Sequence, residues 1–261
     1  MATAPKVTDE EKSSARPALL LLLAVFVVAG FSVKFGLQTL TWVEGKLWTS
    51  ADPWLANVPQ PLPPPVAAAK GERVKAFNYE FDSPWPGNPK STGTLTYTTF
   101  RYESGPVVVF FDPDSQVDTV RALKSSNPIE YQRFASVFAD HPIETNFAMY
   151  QAVYGASPTQ LSPLMSVREA MRVNVLLLWK LSFGLDLLCD GQFYSFQTDK
   201  LKGFQFGNPE MQRPVAVRAF DDRDRQFRFI FTTAAGSAGH ISQNDINSVL
   251  QTFQSVPLIE R

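Results

Sequence analysis

The pattern of apolar and polar residues divides the chain into one uninterrupted apolar run and a longer region of short alternating segments. The run covers residues 18–33 and reads ALLLLLAVFVVAGFSV, without a charge. Beyond residue 75, several segments alternate apolar and polar side chains with a period of two, which is typical of half-buried strands. The pattern predicts an N-terminal anchor and then a domain of α+β class, an antiparallel sheet packed with helices.

The apolar run reaches the length of a membrane-spanning helix when it is extended to residue 37, because such a helix needs about 20 predominantly apolar residues. The nearest basic residues are Lys6, Lys12 and Arg16 before the run and Lys34 and Lys46 after it. This asymmetry favours an anchor with its N-terminus inside. We predict a polar tail at residues 1–16, a transmembrane helix at residues 17–37, and a domain on the extracytoplasmic side of the cell membrane.

The same run has two other interpretations. A cleavable signal peptide is possible because residues 28–30 (Val-Ala-Gly) are acceptable at a cleavage site and the apolar core is near the upper length for such a peptide. A buried helix of a soluble domain is disfavoured, because the run is apolar on every face and has no partner pattern nearby. The N-terminal residue of the mature chain separates the anchor from the signal peptide.

A proline-rich segment follows the anchor. Residues 49–69 read TSADPWLANVPQPLPPPVAAA, and proline at this density favours an extended polyproline conformation. We predict a linker at residues 38–74 that acts as a stalk. A ligand for a proline-recognition domain at residues 60–65 is the alternative. Indole rings favour the membrane interface, and the candidates for that position are Trp42, Trp48 and Trp54.

Strand patterns occur in two groups within the predicted globular domain at residues 75–261. The first strands are predicted at residues 77–81, 94–102 and 106–111. Four more are predicted at residues 192–197, 203–206, 214–220 and 226–233. Because the connections within the second group are short and polar, its strands are expected to be antiparallel neighbours. Ser242 and Asp245 then form the start signal of a terminal amphipathic helix.

The region between the two groups of strands contains three helix-start motifs of one kind. We predict that this region, residues 113–190, is a helical insertion. Each start has a capping side chain followed by proline, or by an acid or amide three residues later. These starts are Asn127, Ser157 and Ser166. The third opens an apolar helix that should run to about Cys189 through the centre of the domain. A second membrane span is disfavoured because Arg172, Asn174, Lys180 and Asp186 interrupt it.

Alternation within the last predicted strand assigns its side chains to two faces. Phe227, Phe229 and Phe231 should lie on one face of the sheet, and Arg228 and Ile230 on the other. One side of the sheet is therefore expected to pack beneath helices. If the strand at residues 192–197 leaves Tyr194 on an uncovered face, a ligand groove or partner surface becomes possible there.

Composition excludes several classes of function. The formal net charge of −1 argues against general electrostatic capture of nucleic acid. Cys189 is the single cysteine of the chain, so an internal disulfide and a thiolate metal cluster are excluded. The sequence has no phosphate-binding glycine loop and no dinucleotide fingerprint. No cofactor is predicted.

The two histidines of the chain, His141 and His240, exclude a metal site richer in histidine than a pair assisted by carboxylates. Residues 235–239 (AGSAG) are similar to a nucleophile elbow around Ser237. However, the serine lies several residues before the terminal helix, and His240 is too near in sequence for a base brought from elsewhere. A flexible loop is the favoured interpretation, and His141 is assigned a capping or surface role.

Two groups of carboxylates invite a metal hypothesis, since calcium needs several oxygens that converge from one loop. They are Asp112, Asp114 and Asp118, and Asp221, Asp222 and Asp224. No EF-hand spacing surrounds the second group, for which a solvated turn balanced by Arg223 and Arg225 is favoured. Turn and helix-start roles explain the first group. We predict no metal site and no catalytic residue in either.

The order of elements resembles that of the PsbP-like proteins. Residues 77–85 (FNYEFDSPW) are similar to the aromatic strand and corner that open that fold, and residues 245–253 are similar to its closing helix. The resemblance implies an α/β/α sandwich and a non-catalytic accessory or assembly factor of a membrane complex. It assigns no site residue, and the helical stretch at residues 116–189 departs from the family pattern.

The leading hypothesis is a single-pass membrane-anchored, non-catalytic binding or assembly protein with an outward-facing domain. Its expected partners are membrane lipid, through the N-terminal helix, and a protein of a membrane complex, with no nucleic acid. The alternative is a membrane-tethered or secreted hydrolase that uses Ser237 or a carboxylate pair. A pocket that brings His141 beside those groups would favour the alternative.

Overall fold

The computed structural model describes residues 52–63, 71–116, 118–126, 128–140, 142–183 and 192–256, together with residues 35, 36, 39, 40, 42, 43, 45 and 47. The polar tail, the predicted anchor up to residue 34, His141 and Cys189 lie outside the described residues. Within the described parts, no helix has the length and apolar character that crossing a membrane requires.

Eleven strands of the described residues form two sheets. In chain order they are β1 (Gln60–Pro61), β2 (Glu72–Ala76), β3 (Tyr79–Ser83), β4 (Lys90–Gly93), β5 (Tyr97–Arg101), β6 (Pro106–Phe111), β7 (Phe193–Gln197), β8 (Lys202–Phe206), β9 (Val215–Phe220), β10 (Gln226–Thr233) and β11 (Gln254–Ser255). The large sheet has the order β1-β7-β8-β9-β10-β6-β5-β4, and the small sheet has the order β11-β3-β2. All neighbours are antiparallel except β1 and β7, which are parallel.

Five α-helices lie beyond residue 118 in the described part of the fold, in addition to the helical residues 35, 36, 39, 40, 42, 43, 45 and 47. They are α1 (Thr119–Ser126), α2 (Pro128–Val137), α3 (Asn146–Gly155), α4 (Val167–Phe183) and α5 (Gln243–Thr252). Both Ser166 and Ser242 cap the helices that follow them, as the sequence predicts, with Glu169 and Asp245 completing reciprocal bonds. The domain therefore combines a large, mainly antiparallel sheet with helices, in agreement with the predicted α+β class.

The large sheet separates two cores. On one face, α3 and α4 cover β7, β8 and β9, and Tyr154 and Leu177 pack with Phe204. On the other face lie the small sheet and α5, where Phe81 and Ile246 pack with Phe229. Burial of the apolar side chains in these cores, at about 25 cal/mol per Å², is the main driving force that holds the layers together.

The alternation in β10 sorts its side chains between these cores. Phe227, Phe229 and Phe231 are at most 1 % exposed and lie in the core of the small sheet and α5. Arg228 and Ile230 are half-buried on the opposite face. Because side chains of a strand alternate between faces, the sequence pattern predicted this arrangement, and the structure confirms it.

The structure has a hairpin turn where the sequence pattern predicts the start of a strand. The sequence pattern predicts a strand over residues 77–81, but Phe77 and Asn78 form the turn between β2 and β3. Phe77 has a φ of +54°, a conformation that bulky residues rarely adopt. Although Phe77 lies in the turn, its ring packs on Phe110, with 6.0 Å between the ring centroids. This contact explains why Phe77 belongs to the same alternating aromatic pattern as the strand residues.

The proline-rich segment contributes residues to the fold. Residues 52–63 fall in the range that its proline content assigns to a linker, but Leu55 is fully buried and Trp54 nearly so. Asp52 caps a 3₁₀ turn at Pro53–Ala56, where its carboxylate accepts the Trp54 amide at 3.0 Å. The next residues form β1, which pairs with β7. This part of the segment is packed against the domain because its Trp-Leu pair supplies apolar side chains that a spacer does not need.

Candidate functional site

A cleft of about 420 Å³ opens between the two sheets. Its walls come from the β7–β8 turn, the β9–β10 turn, β3 and the chain that leaves α5. Its lining residues are Tyr79, Asp199, Lys200, Leu201, Asp221, Asp222, Arg225, Phe227, Phe253, Gln254 and Ser255.

Arg225 is held in this cleft by hydrogen bonds on two sides. Its Nε and Nη2 atoms each lie 2.7 Å from the Asp221 carboxylate, and its Nη1 donates to the Tyr79 hydroxyl at 3.2 Å. The same carboxylate accepts the backbone amides of Arg223 at 3.0 Å and Arg225 at 2.8 Å. Asp221 therefore fixes both the turn and the guanidinium, so the cleft presents its cation in one position.

The aromatic wall of the cleft is also rigid. Tyr79 stacks on Phe253 with 5.3 Å between ring centroids and meets Phe227 edge-on at 5.2 Å. Burial raises the pKa of Tyr79, and the nearby Arg225 opposes this only in part. The phenol is therefore neutral at pH 7 and available for hydrogen bonding. With the exposed Asp199 and Asp222 at its rim, the cleft is suited to recognition of a polar segment.

The prediction of a solvated acidic turn between β9 and β10 is wrong for part of the turn. Asp222 and Arg223 are exposed, but Asp221 is only 9 % exposed. Asp224, at a φ of +60°, turns away from the cleft and accepts the backbone amides of Asn146 at 2.6 Å and Phe147 at 2.9 Å. It thereby satisfies amides that the first turn of α3 would otherwise leave unpaired.

The Asn146 side chain links one aspartate from each of the two clusters considered as metal sites in the sequence. Its side-chain amide donates to Asp224 at 3.1 Å and to Asp118 at 3.0 Å, while its side-chain carbonyl accepts the amide of Val120 at 3.2 Å. Asp118 and Asp224 thus serve as helix-start contacts. Asp112 caps a 3₁₀ turn through the amide of Asp114, as predicted. In the described part of the chain, no three His, Cys, Asp or Glu side chains are grouped to hold a metal ion.

Ser237 lies with His240 beside a cavity of about 90 Å³. The Ser237 side chain faces Gly105, where an added Cβ would stand only 2.5 Å from its hydroxyl oxygen. His240 approaches Glu210, with 3.9 Å between Nε2 and Oε2. Among the hydrogen bonds of the described residues, none joins Ser237 to His240. The structure therefore places the two residues near each other without the contact that would activate the serine.

Lys180 is a buried cation that sequence reasoning used only as an argument against a membrane span. Its three Nζ–H groups face four backbone carbonyls, those of Ala156 at 2.7 Å, Tyr154 at 3.2 Å, Leu55 at 3.3 Å and Asn57, so at least one N–H is shared between two acceptors. The side chain is fully buried. These carbonyls lie at the ends of α3 and of the 3₁₀ turn, where helix dipoles favour a cation. Lys180 therefore fastens the N-terminal segment to α3.

The electrostatic balance at Lys180 has two opposing contributions. Burial lowers its pKa to about 8, because a low-dielectric surrounding disfavours the ammonium ion. The carbonyl acceptors favour the charged form. The sequence shows Lys180 only as a lysine within an apolar helix. Two of its hydrogen-bond acceptors, Leu55 and Asn57, are more than a hundred residues away, so nothing near Lys180 in the sequence predicts them.

Tyr194 borders a further cavity, at the edge where β1 pairs with β7. This cavity has a volume of about 280 Å³ and is lined by Asn57, Val58, Gln60, Gln192, Phe193 and Tyr194. Tyr194 is half-buried, and its hydroxyl lies within hydrogen-bonding distance of the Gln192 side chain. The sequence suggested this tyrosine as part of a groove, and the cavity at the sheet edge is the corresponding feature.

Comparison with known proteins gives no match. No family model, curated protein or solved structure matches this chain significantly. The resemblance to PsbP-like proteins stays a prediction from residues 77–85 and 245–253. Function has to be inferred from the chain itself, from its apolar run, its fastened N-terminal segment and its cleft.

Proposed function

We propose that this chain is a single-pass membrane-anchored protein whose extracytoplasmic domain is a non-catalytic binding or assembly module. Residues 17–37 provide the anchor, and a protein of a membrane complex is the partner. The observation that carries the proposal is the fastening of residues 52–61 to the domain through Leu55, the β1–β7 pairing and Lys180. Residues 52–61 are therefore part of the domain, which limits the linker after the proposed anchor to residues 38–51.

A short linker favours an assembly function, since it would keep the cleft near the membrane. The cleft offers a fixed guanidinium, a neutral phenol and exposed carboxylates. Fixed groups of this kind recognise a polar protein segment without losing much entropy on binding. Recognition, rather than bond cleavage, is the chemistry that we assign to it.

We further propose that the domain has the α/β/α sandwich arrangement of the PsbP-like proteins. What supports this is the position of α3 and α4 on one face of the large sheet and of α5 on the other. The small sheet β11-β3-β2 shares the second face with α5.

Site-specific photo-crosslinking tests the binding function of the cleft. A benzophenone amino acid at Asp222, in protein expressed in its own membranes, is expected to give a single adduct with one protein. The same group at Leu95, which is exposed and outside the cleft lining, is the control. Arg225→Ala should reduce the adduct by more than about tenfold, because a charge-assisted contact contributes about 1.5 to 3 kcal/mol.

Arg223→Ala is the matched control for that loss, because Arg223 is exposed in the same turn and does not line the cleft. Circular dichroism of both variants verifies that the fold is kept. An adduct at Asp222 no stronger than at Leu95, or equal adducts in the two arginine variants, would contradict partner binding at the cleft.

The hydrolase alternative has one observation in its favour, the proximity of Ser237 and His240 at a single cavity. A fluorophosphonate probe reacts with activated serines and decides the matter. We expect no labelling above that of a Ser237→Ala variant, because Ser237 has no hydrogen bond to His240 among the described residues. Labelling that disappears in Ser237→Ala would establish the hydrolase instead.

A further inference from the structure

The helical residues that follow the apolar run have a buried side and an exposed side. Residues 35, 36, 39, 40, 42, 43, 45 and 47 are all helical, and Gly45 alone among them is buried. A Cβ at Gly45 would overlap the Leu161 side chain, so the helix backbone packs directly on the domain at this point. A Cβ at Gly36 would meet nothing within 4 Å.

The exposed side of this helix is apolar. At about 100° per residue, residues 36, 40, 43 and 47 share one face, and Gly45 lies on the opposite face. Leu40 is 66 % exposed, Val43 41 % and Leu47 64 %. A helix packed on a soluble domain normally turns its apolar face inward. Here the apolar face points away from the domain.

A second exposed apolar stripe lies on α4. Val167, Met171 and Leu178 fall within about 40° of one another around the helix, and they are 39 %, 51 % and 47 % exposed. Leu164, just before α4, is 84 % exposed. Leu164 is three residues from Leu161, the residue that holds Gly45. The N-terminal end of the α4 stripe therefore follows the residue that contacts Gly45 closely along the chain.

The length of the connecting chain limits what can cover these surfaces. Seven residues lie between residue 37, where the proposed anchor ends, and Gly45, so even a fully extended chain keeps Gly45 within about 29 Å of the end of the anchor. The interfacial region of a bilayer leaflet extends several ångströms beyond the hydrocarbon core. With the anchor inserted, the connecting chain keeps the Gly45–Leu161 contact close to the membrane, and lipid is the apolar phase within reach.

We infer that the outward face that carries Leu40, Val43 and Leu47, with the exposed stripe of α4, rests on the phospholipid bilayer and that the Gly45–Leu161 contact holds the domain there. This inference deepens the proposed function and rests on the proposed anchor. It gives the domain a membrane-facing side. Exposed apolar patches of this kind are typical of interaction surfaces, and amphipathic helices bury such faces at the lipid interface.

Fluorescence depth measurements on the full-length protein test the inference. In a Cys189→Ser background, single cysteines at Leu47, Met171 and Leu178 are labelled with the dye NBD, and Leu95→Cys serves as the control. The protein is reconstituted in vesicles of equal parts phosphatidylcholine and phosphatidylglycerol. We expect blue-shifted emission for the first three labels and loss of more than half of their intensity with nitroxide-labelled lipid. The Leu95 label should be unaffected.

Gly45→Leu tests the contact that holds the domain, and Gly36→Leu is its matched control. Gly45→Leu should remove most of the quenching at Met171, while Gly36→Leu should leave it unchanged. Alkaline carbonate extraction reports the anchor separately, because a protein released by it has no inserted helix. Release would overturn both this inference and the proposed anchor.

Three outcomes in protein that resists carbonate would overturn the membrane-facing surface while the anchor stands. The first is emission at Met171 and Leu178 that matches the Leu95 control. The second is blue-shifted emission that nitroxide lipid does not quench and that depends on protein density in the vesicles, which indicates a second copy of the chain. The third is quenching at Met171 that Gly45→Leu leaves unchanged.

Discussion

Replacing Lys180 with methionine is expected to lower the free energy of unfolding by about 2 to 4 kcal/mol. Methionine fills a similar volume but leaves the carbonyls of Leu55, Tyr154 and Ala156 without their common donor. Each buried acceptor left unpaired costs about 1 to 3 kcal/mol, partly offset because no charge is then buried. Urea unfolding of the two proteins, followed by circular dichroism, measures the difference.

Lys75→Met is the matched control, because the Lys75 side chain is 65 % exposed and pairs with Glu80 only at 3.8 Å. Its effect should stay within about 0.5 kcal/mol. Equal stability of Lys180→Met and Lys75→Met would contradict the fastening role of Lys180. Limited proteolysis gives a second readout, since Lys180→Met should expose the chain around Leu55 to cleavage while Lys75→Met should not.

The pH dependence of stability provides an independent test of the same lysine. Burial lowers the pKa of folded Lys180 to about 8 from its ordinary value of 10.5. Between these values the unfolded chain holds a proton that the folded chain has released, so the free energy of unfolding rises with pH across this window. The rise attributable to Lys180 is at most about 3 kcal/mol. It should be visible as the difference between wild type and Lys180→Met.

Replacing Asp224 with alanine is expected to lower the free energy of unfolding by about 1.5 to 3 kcal/mol. The change removes the acceptor of the Asn146 and Phe147 amides, and loss of a helix cap costs about 0.5 to 2 kcal/mol. It also places alanine at a φ of +60°, which costs about 1 kcal/mol more. Thermal and urea unfolding should both show the loss.

Two further variants separate the contributions at this turn. Asp224→Gly tolerates the positive φ and loses only the cap, so it should be more stable than Asp224→Ala by about 1 kcal/mol. Asp222→Ala, in the exposed neighbouring position, should be nearly neutral. Stability of Asp224→Ala equal to that of Asp222→Ala would show that Asp224 does not hold α3.

Local patterns in the sequence were sufficient to predict much of the sheet and the terminal helix. The strands at residues 106–111 and 226–233 coincide with β6 and β10, because alternation with β-branched and aromatic residues is a strong local signal. Ser242 and Asp245 likewise identified the start of α5. By contrast β4, with the polar sequence KSTG exposed throughout, has no apolar period from which to predict it.

The contacts that shape the candidate site could not be predicted, because their partners are distant in sequence. Asp224 binds the first amides of α3 across 78 residues, and the local start signal, the N-cap residue Thr145, gives no indication of that distant partner. Lys180 meets Leu55 across 125 residues, so proline content alone assigned residues 52–63 to a linker. Individual residue types indicated candidates such as Ser237 and the aspartates, but their roles depend on which side chains the fold brings beside them.

The mass of the mature protein in its own membranes tests the central claim most directly. Membranes are washed with alkaline carbonate, the protein is extracted in mild detergent with whatever accompanies it, and its intact mass and N-terminal residue are determined. We predict a chain that begins at Met1 or Ala2, resists the wash, and elutes with a stoichiometric membrane complex. A mature chain that begins near Phe31 and is released without partners would contradict the anchored assembly function.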